Sequence, residues 1–378
     1  MIDNSGLLKK LLDDGKIRIR DCSLFHEALT PLPPAFSFDR IEGMLLGVAI
    51  GDALGAPTEG LIARDRYLKY GTVHDYIPCI QSGGRPIGVP TDDTQLTFWT
   101  LEQLIQDGGL IPDNLARSFC GNRIFGLGST VREFIRNNKD RGKAWYLCGP
   151  DSLGNGALMR ISPLLLPYLA NPHVSLYADT ALDGMMTHNS YASNATCVSF
   201  MHILWQLLTM TSVPQPNWWH ETYCRLAKEM EGEAGYQPAA LPGSYRGPLW
   251  KYVELRVADA LRRDLSAAEF SGELGYGFDL FVTVPAVLYI LARHAHNAEE
   301  AITRAVNDTV DNDSAGAIVG AAVGALHGLG GLPGRWIEGL TGRTHESDDG
   351  RVFKLMLLAK KRFWPATPAQ AHPRRQRN

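Results

Sequence analysis

The sequence has little of what marks several protein classes. Its formal net charge is only −3, and like charges do not gather before the last few residues. That argues against a surface built for nucleic acid or for an anionic membrane. Alternating runs of β-branched residues, the mark of half-buried strands, are nearly absent. The six cysteines (Cys22, Cys79, Cys120, Cys148, Cys197 and Cys224) include no CxxC pair. Scattered in this way, they fit buried thiols in a reducing, cytoplasmic compartment. The opening stretch MIDNSGLLKKLLDDGKIRIR carries charges inside its only apolar patch, unlike a signal peptide. SAGAIVGAAVGALHGLGGLP, residues 314–333, approaches a membrane span in length. It is mostly Gly and Ala and contains His327, so it reads as a buried helix of a soluble protein.

What is present is a succession of long apolar segments broken by Gly, Asn and Pro. Helices are predicted over 40–56, 94–107, 113–121, 129–139, 158–170, 175–187, 191–211, 218–230, 250–263, 279–295, 298–306 and 314–329. The fold class expected is all-α, with functional loops at helix ends. KIRIR (16–20) and YIPCI (76–80) are the strand candidates. Residues 1–39 stand apart as an N-terminal extension. Leu7, Leu8, Leu11 and Leu12 give it a short helical stripe, and PLPP (31–34) makes a stiff connector. It is expected to be separable, so that deletion to Arg40 leaves a folded, active protein. The main domain is set at 40–364, followed by a disordered basic tail at 365–378.

Small residues recur every four positions in two segments: Gly43, Gly47 and Gly51, then Gly316, Gly320, Gly324 and Gly328. A glycine inside a helix costs about 1 kcal/mol against alanine. Close approach of the two helices is the simplest compensation.

Chemistry concentrates at two acidic helix starts. Thr91, Asp92 and Asp93 precede the apolar run TQLTFWTLEQL, and Asp311, Asp313 and Ser314 precede another. Each group can be read as caps favouring the positive end of a helix. Yet one cap needs one oxygen, and several crowded carboxylates repel. If the two starts converge, their carboxylates and hydroxyls would suit a hard cation, Mg²⁺ or Mn²⁺, with enough oxygens for two ions. GDALGAPTEG (51–60) adds Asp52 and Glu59, the latter on a loop.

These segments, together with GLGSTVREF (126–134), GNGALMRISPL (154–164), THNSYAS (187–193) and GYGFDLFVTVPAVLYIL (275–291), resemble the ADP-ribosylglycohydrolase family in order and spacing over about residues 40–340. The family includes dinitrogenase reductase-activating glycohydrolase and ADP-ribosylarginine hydrolases. The resemblance implies a compact orthogonal helical fold around a dinuclear Mg²⁺ or Mn²⁺ centre. Its ligands would be Thr91, Asp92, Asp93, Asp311, Asp313 and Ser314. Glu59, Asp92 and Asp313 would carry the reaction, with Glu59 near the scissile bond. Gly126, Gly128, Ser129 and Thr130 would approach the diphosphate. Asn155, Gly156, Met159, His188 and Tyr276 would contact the ADP-ribose. The implied reaction removes ADP-ribose from a modified arginine on a protein. The resemblance extends to immunity proteins paired with ADP-ribosyltransferase toxins, which would make a cognate toxin a partner. The chain departs from the family where two glycines usually precede the late aspartates; here Thr309 and Val310 stand. Ser314 also replaces the commoner Thr and keeps the oxygen.

Two other readings use the same residues. A two-metal phosphoester hydrolase would need cationic side chains, for which Arg123, Arg132 and Arg160 are the candidates. A non-catalytic inhibitor would occlude a transferase through the N-terminal arm.

Overall fold

The computed structural model describes residues 2–365. Apart from Pro365, the tail therefore lies outside the described residues. The all-α expectation holds: the described residues form helices joined by loops, with only isolated β-bridges and no sheet. In chain order the α-helices are α1 (Ser5–Asp13), α2 (Asp39–Gly55), α3 (Ala63–Tyr70), α4 (Asp92–Asp107), α5 (Pro112–Gly121), α6 (Ser129–Ile135), α7 (Ser175–Thr187) and α8 (Tyr191–Thr209). They continue with α9 (Pro216–Glu231), α10 (Leu249–Arg262), α11 (Ala267–Leu274), α12 (Leu280–His294), α13 (Ala298–Asp308), α14 (Asn312–His327), α15 (Gly334–Gly339) and α16 (Arg351–Phe363).

Four differences from the predicted elements have local causes. KIRIR and YIPCI pair with no neighbouring strand and run as extended coil. The segment predicted as a helix over 158–170 forms two 3₁₀ stretches, Leu158–Arg160 and Ser162–Tyr168. Pro163 and Pro167 lack the N–H groups that an α-helix needs there. The segment predicted over 129–139 breaks after Ile135 into a π-turn, Arg136–Asp140. Helices α3, α11 and α15 escape the periodicity reading because they are short; α16 is longer and amphipathic and is not among the predicted helices.

The glycine rows do what their spacing suggests. Helices α2 and α14 lie backbone to backbone at the centre of the core. A Cβ on Gly47 would stand 2.0 Å from the carbonyl oxygen of Gly320, and one on Gly51 would stand 2.0 Å from that of Gly316. Gly43 meets Gly324 and Gly328 in the same way. Contact this close admits only glycine. It also fixes where the two helices end relative to each other. Asp52, near the C-terminal end of α2, comes level with the acidic start of α14, and Gly55 touches the Asn312–Asp313 backbone. The remaining helices wrap this pair. Among the described residues no single helix is long and apolar enough to cross a membrane, and all but one residue of α14 are buried.

The N-terminal segment packs on the domain. Leu8, Leu11, Ile17, Ile19, Leu24 and Leu29 are buried in the common core. Asn4 donates to the buried Asp179 carboxylate at 2.6 Å and to the Leu110 carbonyl at 3.0 Å. Asn189 accepts from the Arg18 N–H at 2.9 Å, and Asn194 donates to the Arg18 carbonyl at 3.0 Å. The segment thus braces the loop that carries His188. All six cysteines are free, five of them buried and Cys79 partly exposed.

Candidate active site

Four helix starts in this chain use their own N-cap side chain. Ser190 accepts from the Ser193 N–H, Asp279 from Phe281 and Asn297 from Glu300, and Ser266 forms a full capping box with Glu269. The two acidic starts do not. Neither Thr91 nor Asp311 makes a side-chain cap bond.

Helix α4 is capped instead from across the core by Asp52. Its carboxylate, fully buried, accepts from the Thr91 N–H at 2.9 Å and the Thr94 N–H at 3.0 Å. It also accepts from the Thr91 hydroxyl at 2.7 Å and the Thr94 hydroxyl at 2.5 Å. One buried carboxylate therefore satisfies two of the orphan amides of the first turn. Asp92 and Asp93 are left without a capping duty. The chain singles out Asp52 only through the GDALG run, and periodicity gives no sign of its role.

With the caps supplied elsewhere, the acidic side chains converge. Carboxylate oxygens of Glu59, Asp311 and Asp313 lie within 4.8 Å of one another, as do those of Asp52, Asp93 and Asp313. In the second group the two oxygens of Asp52 are already saturated by hydrogen bonds, so it serves as a support and leaves the coordinating capacity to Asp93 and Asp313. Oδ1 of Asp93 is buried and has no hydrogen-bond partner. Burial raises the pKa of Asp92, Asp93 and Asp313, and neighbouring carboxylates, Asp52 first for Asp92 and Asp93 and Asp93 first for Asp313, raise it further. Asp311 is raised by burial against opposing hydrogen bonds from Asn155, Asp313 and Ser314. Asn155 Nδ2 donates to Asp311 and, at 2.9 Å, to the Thr283 hydroxyl. The donor set is oxygen only and excessively negative. Clustered hard oxygens with one orphaned carboxylate oxygen fit a hard divalent cation.

The cluster floors a cleft of about 410 Å³. Gly126, Gly128, Ser129 and Thr130 form one wall, and Asn155, Gly156, Met159 and His188 form the other. Gly126 has φ +55°, and a Cβ there would stand 2.6 Å from an Asp92 oxygen. Only glycine lets this wall come so close to the acids. His188 is buried beneath the Gly154–Gly156 turn, its Nδ1 2.9 Å from the Thr187 hydroxyl. Burial, and then the charge of Arg160, push it down to about 3. It is neutral at physiological pH and offers a hydrogen bond but no charge. Glu59 projects from its loop with no hydrogen bond to its carboxylate among the described residues. Enclosure by the cleft, then the charges of Asp311 and Asp52, raise its pKa. The Gly60 N–H donates to the Val310 carbonyl at 3.0 Å. Where the family usually has glycine, Val310 thus still anchors the Glu59 loop through its backbone.

Fifteen of the sixteen expected site residues line this one cleft. Tyr276 does not. It is 54% exposed and faces a separate cavity next to Ile62 and Tyr67. Phe278, two residues on, lines the cleft in its place. The chain bends at Tyr276 and again at Phe278, so the two aromatics two residues apart face different cavities, which a motif match does not reveal. The three candidate cations stay out of the cleft. Arg160 is buried in an ion pair with Asp183 at 2.5 Å, Arg132 is exposed, and Arg123 borders a neighbouring cavity.

Residues 33–367 match the model of the ADP-ribosylglycohydrolase family. A relative from Serratia proteamaculans, ADP-ribosylarginine hydrolase Tri1, is 26% identical over 324 residues, covering 82% of this chain and 77% of that protein. The ADP-ribosyl-[dinitrogen reductase] glycohydrolase of Rhodospirillum rubrum is 24% identical over 329 residues, 85% of this chain and 97% of the relative. ADP-ribosylhydrolase ARH3 of Xenopus tropicalis is 24% identical over 331 residues, 80% and 91% of the two chains. A solved structure described as an ADP-ribosylglycohydrolase-related protein complex superposes with TM-score 0.62 at 25% identity, covering 87% of this chain and 98% of the other. The chain belongs to the ADP-ribosylglycohydrolase family.

Proposed function

We propose that this member of the ADP-ribosylglycohydrolase family hydrolyses the N-glycosidic bond between ADP-ribose and an arginine side chain of a modified protein. We further propose that it does so with two divalent cations, Mg²⁺ or Mn²⁺. The observation that carries the reading is the junction of α2, α4 and α14. Buried carboxylates from two helix starts converge there under a cleft whose walls are glycine-rich.

Thr91, Asp92, Asp93, Asp311, Asp313 and Ser314 would hold the cations. Bound there, the cations would supply Lewis acidity toward ribose hydroxyls and toward an attacking water. The rest falls to the protein. Backbone amides and hydroxyls at Gly126, Gly128, Ser129 and Thr130 suit a diphosphate without a cationic side chain. Asn155, Gly156, Met159, Phe278 and the neutral His188 hold the opposite face of the ligand. The ring of Phe278 offers it an apolar surface. A glycosidic bond broken over this floor develops positive charge on the ribose, which the carboxylates below stabilise. Glu59, raised in pKa and unencumbered, is placed to pass a proton at its carboxyl to or from the reacting groups. Proton delivery matters because a guanidine that left without a proton would be a strongly basic anion, a poor leaving group.

The Serratia relative supports arginine as the linkage by what its name prints, and the ARH3 relative leaves the linkage for experiment. A role as an immunity protein against an ADP-ribosyltransferase toxin would follow from arginine specificity, with the toxin's modified target as substrate. The phosphoester reading is weakened by the lack of Arg or Lys on the cleft wall. Occlusion of a partner by the N-terminal arm is weakened by the burial of its apolar stripe at home.

The test is release of ADP-ribose from an arginine-modified peptide, followed with Mg²⁺, with Mn²⁺ and with excess chelator. Release should vanish in chelator and in Asp92→Ala/Asp93→Ala, with circular dichroism unchanged. Full turnover after exhaustive chelation would remove the metal reading. Release only from a serine-linked peptide would remove the arginine reading.

A further inference from the structure

A second cavity, of about 480 Å³, opens beside the cleft and shares Glu59, Thr91 and Gly126 with it. The acidic floor therefore sits at a junction of two spaces. A substrate with its scissile bond over that floor would put one half in each. The glycine-rich cleft has the donors for a diphosphate and no charged wall opposite the floor. The second cavity has charge of both signs. Arg123 and Glu346 form an ion pair at its rim, exposed at 79% and 67%.

Arg343, deeper in, is already engaged. Its guanidinium lies 4.1 Å from the centre of the Phe125 ring and donates to the Pro90 carbonyl at 3.0 Å. The two walls of the cavity are clamped by Gln95, buried in the first turns of α4. Its Nε2 donates to the carbonyls of Arg123, at 3.1 Å, and Thr344, at 2.9 Å. Its Oε1 accepts from the Phe125 N–H at 2.8 Å. The cavity is thus a built feature, held by the same helix that carries Asp92 and Asp93.

We propose that this second cavity receives the modified arginine side chain. Within it, Glu346 recognises the guanidinium, and Arg123 is the internal competitor that the substrate displaces. The proposal rests on the arginine-hydrolase reading above. Glu59, at the shared wall, would face the guanidinium from one side and Glu346 from the other. A guanidinium is planar and pairs well with carboxylates. Arg123 already occupies Glu346 in that manner. Ile80, 95% exposed between the wall residues Cys79 and Gln81, stands at the rim where the protein carrying the arginine would lie.

The two partners of the ion pair predict effects of opposite sign. Glu346→Gln should lower kcat/KM on an arginine-linked ADP-ribosyl peptide about three- to fivefold, the worth of one exposed ion pair. Arg123→Ala frees Glu346 and should raise kcat/KM a few-fold. The affinity for free ADP-ribose, measured by calorimetry on the Mg²⁺-loaded protein, should not change in either variant. Both residues are exposed, so neither change threatens the fold. A fall in kcat/KM in both variants, or no change in either, would overturn the subsite. Loss of ADP-ribose affinity in Arg123→Ala would overturn it too, because the cavity would then hold the diphosphate. An inactive wild type would sink the parent reading first and the subsite with it. An active wild type with unaltered variants would sink the subsite alone.

Discussion

Replacing Gly51 by alanine sets local propensity against tertiary packing, and the structure says which wins. Alanine is the better helix former by about 1 kcal/mol. At Gly51, however, the new Cβ would stand 2.0 Å from the Gly316 oxygen, 2.2 Å from its carbonyl carbon and 2.7 Å from the Ala317 nitrogen. All three are backbone atoms of α14 and cannot rotate away. Real Cβ atoms essentially never approach within 3.0 Å, so α2 and α14 must separate by at least about 1 Å along their central contact. Overpacking of this kind costs about 1–3 kcal/mol, and more where no side chain can yield. The net loss should be at least about 2 kcal/mol. With about 2.1 cal/mol/K of unfolding entropy per residue, that is a fall of roughly 2–3 °C in Tm. Activity should fall further. Asp52 follows Gly51 directly, and Asp313 starts the helix being pushed away. A displacement of 1 Å in a reacting constellation can cost about 100-fold. Gly272 supplies the control, since it is exposed on α11 with nothing within 4 Å of a Cβ. Gly272→Ala should raise Tm slightly and leave turnover alone. Scanning fluorimetry and ADP-ribose release measure both variants. A Gly51→Ala protein with wild-type Tm and wild-type turnover would refute the account of the glycine rows.

Asp52→Asn keeps the shape but turns one hydrogen-bond acceptor into a donor facing an amide of α4. It should cost about 2–4 kcal/mol in denaturant unfolding and lower turnover through the displaced Asp92 and Asp93. An unchanged midpoint would show that Asp52 is not the cap. Burial, opposed by bonds from Asn4 and Tyr168, pushes the Asp179 carboxyl up to about 7 from an ordinary 3.8. A carboxyl raised on folding destabilises the native state as pH climbs from 3.8 to about 7, and the penalty is then constant. Asp179→Asn should therefore flatten the loss of stability over that window, and an identical pH profile would contradict the assignment. Deletion of residues 1–39 removes six buried aliphatic side chains, Leu8, Leu11, Ile17, Ile19, Leu24 and Leu29. Each is worth about 1.5–3 kcal/mol. The truncated protein should be insoluble or melt far below the full chain, and a soluble, fully active domain would show that the segment is dispensable.

Much of the site was legible before any coordinates. Two oxygen-rich helix starts, a glycine-rich turn and a motif order are properties of the chain itself, because helix caps and close-packed glycines act over four residues or fewer. The same locality explains the all-α class and the α2–α14 contact, since the periodic glycines can serve little else. What the sequence could not supply are partnerships between distant residues. Asp52 caps a helix that begins 40 positions later, Gln95 ties Arg123 to Thr344, and Asn155 holds Asp311. Phe278 rather than Tyr276 reaches the cleft, because that depends on how the chain bends at the two residues as it crosses the rim. Residues 2–38 lie against the domain because Asn4 and a few aliphatic side chains find partners more than 100 residues away. Backbone propensity is local and can be read along the chain. Burial and hydrogen-bond satisfaction are settled only when distant segments meet, and there the tertiary structure alone decided which carboxylates support and which are left free to react.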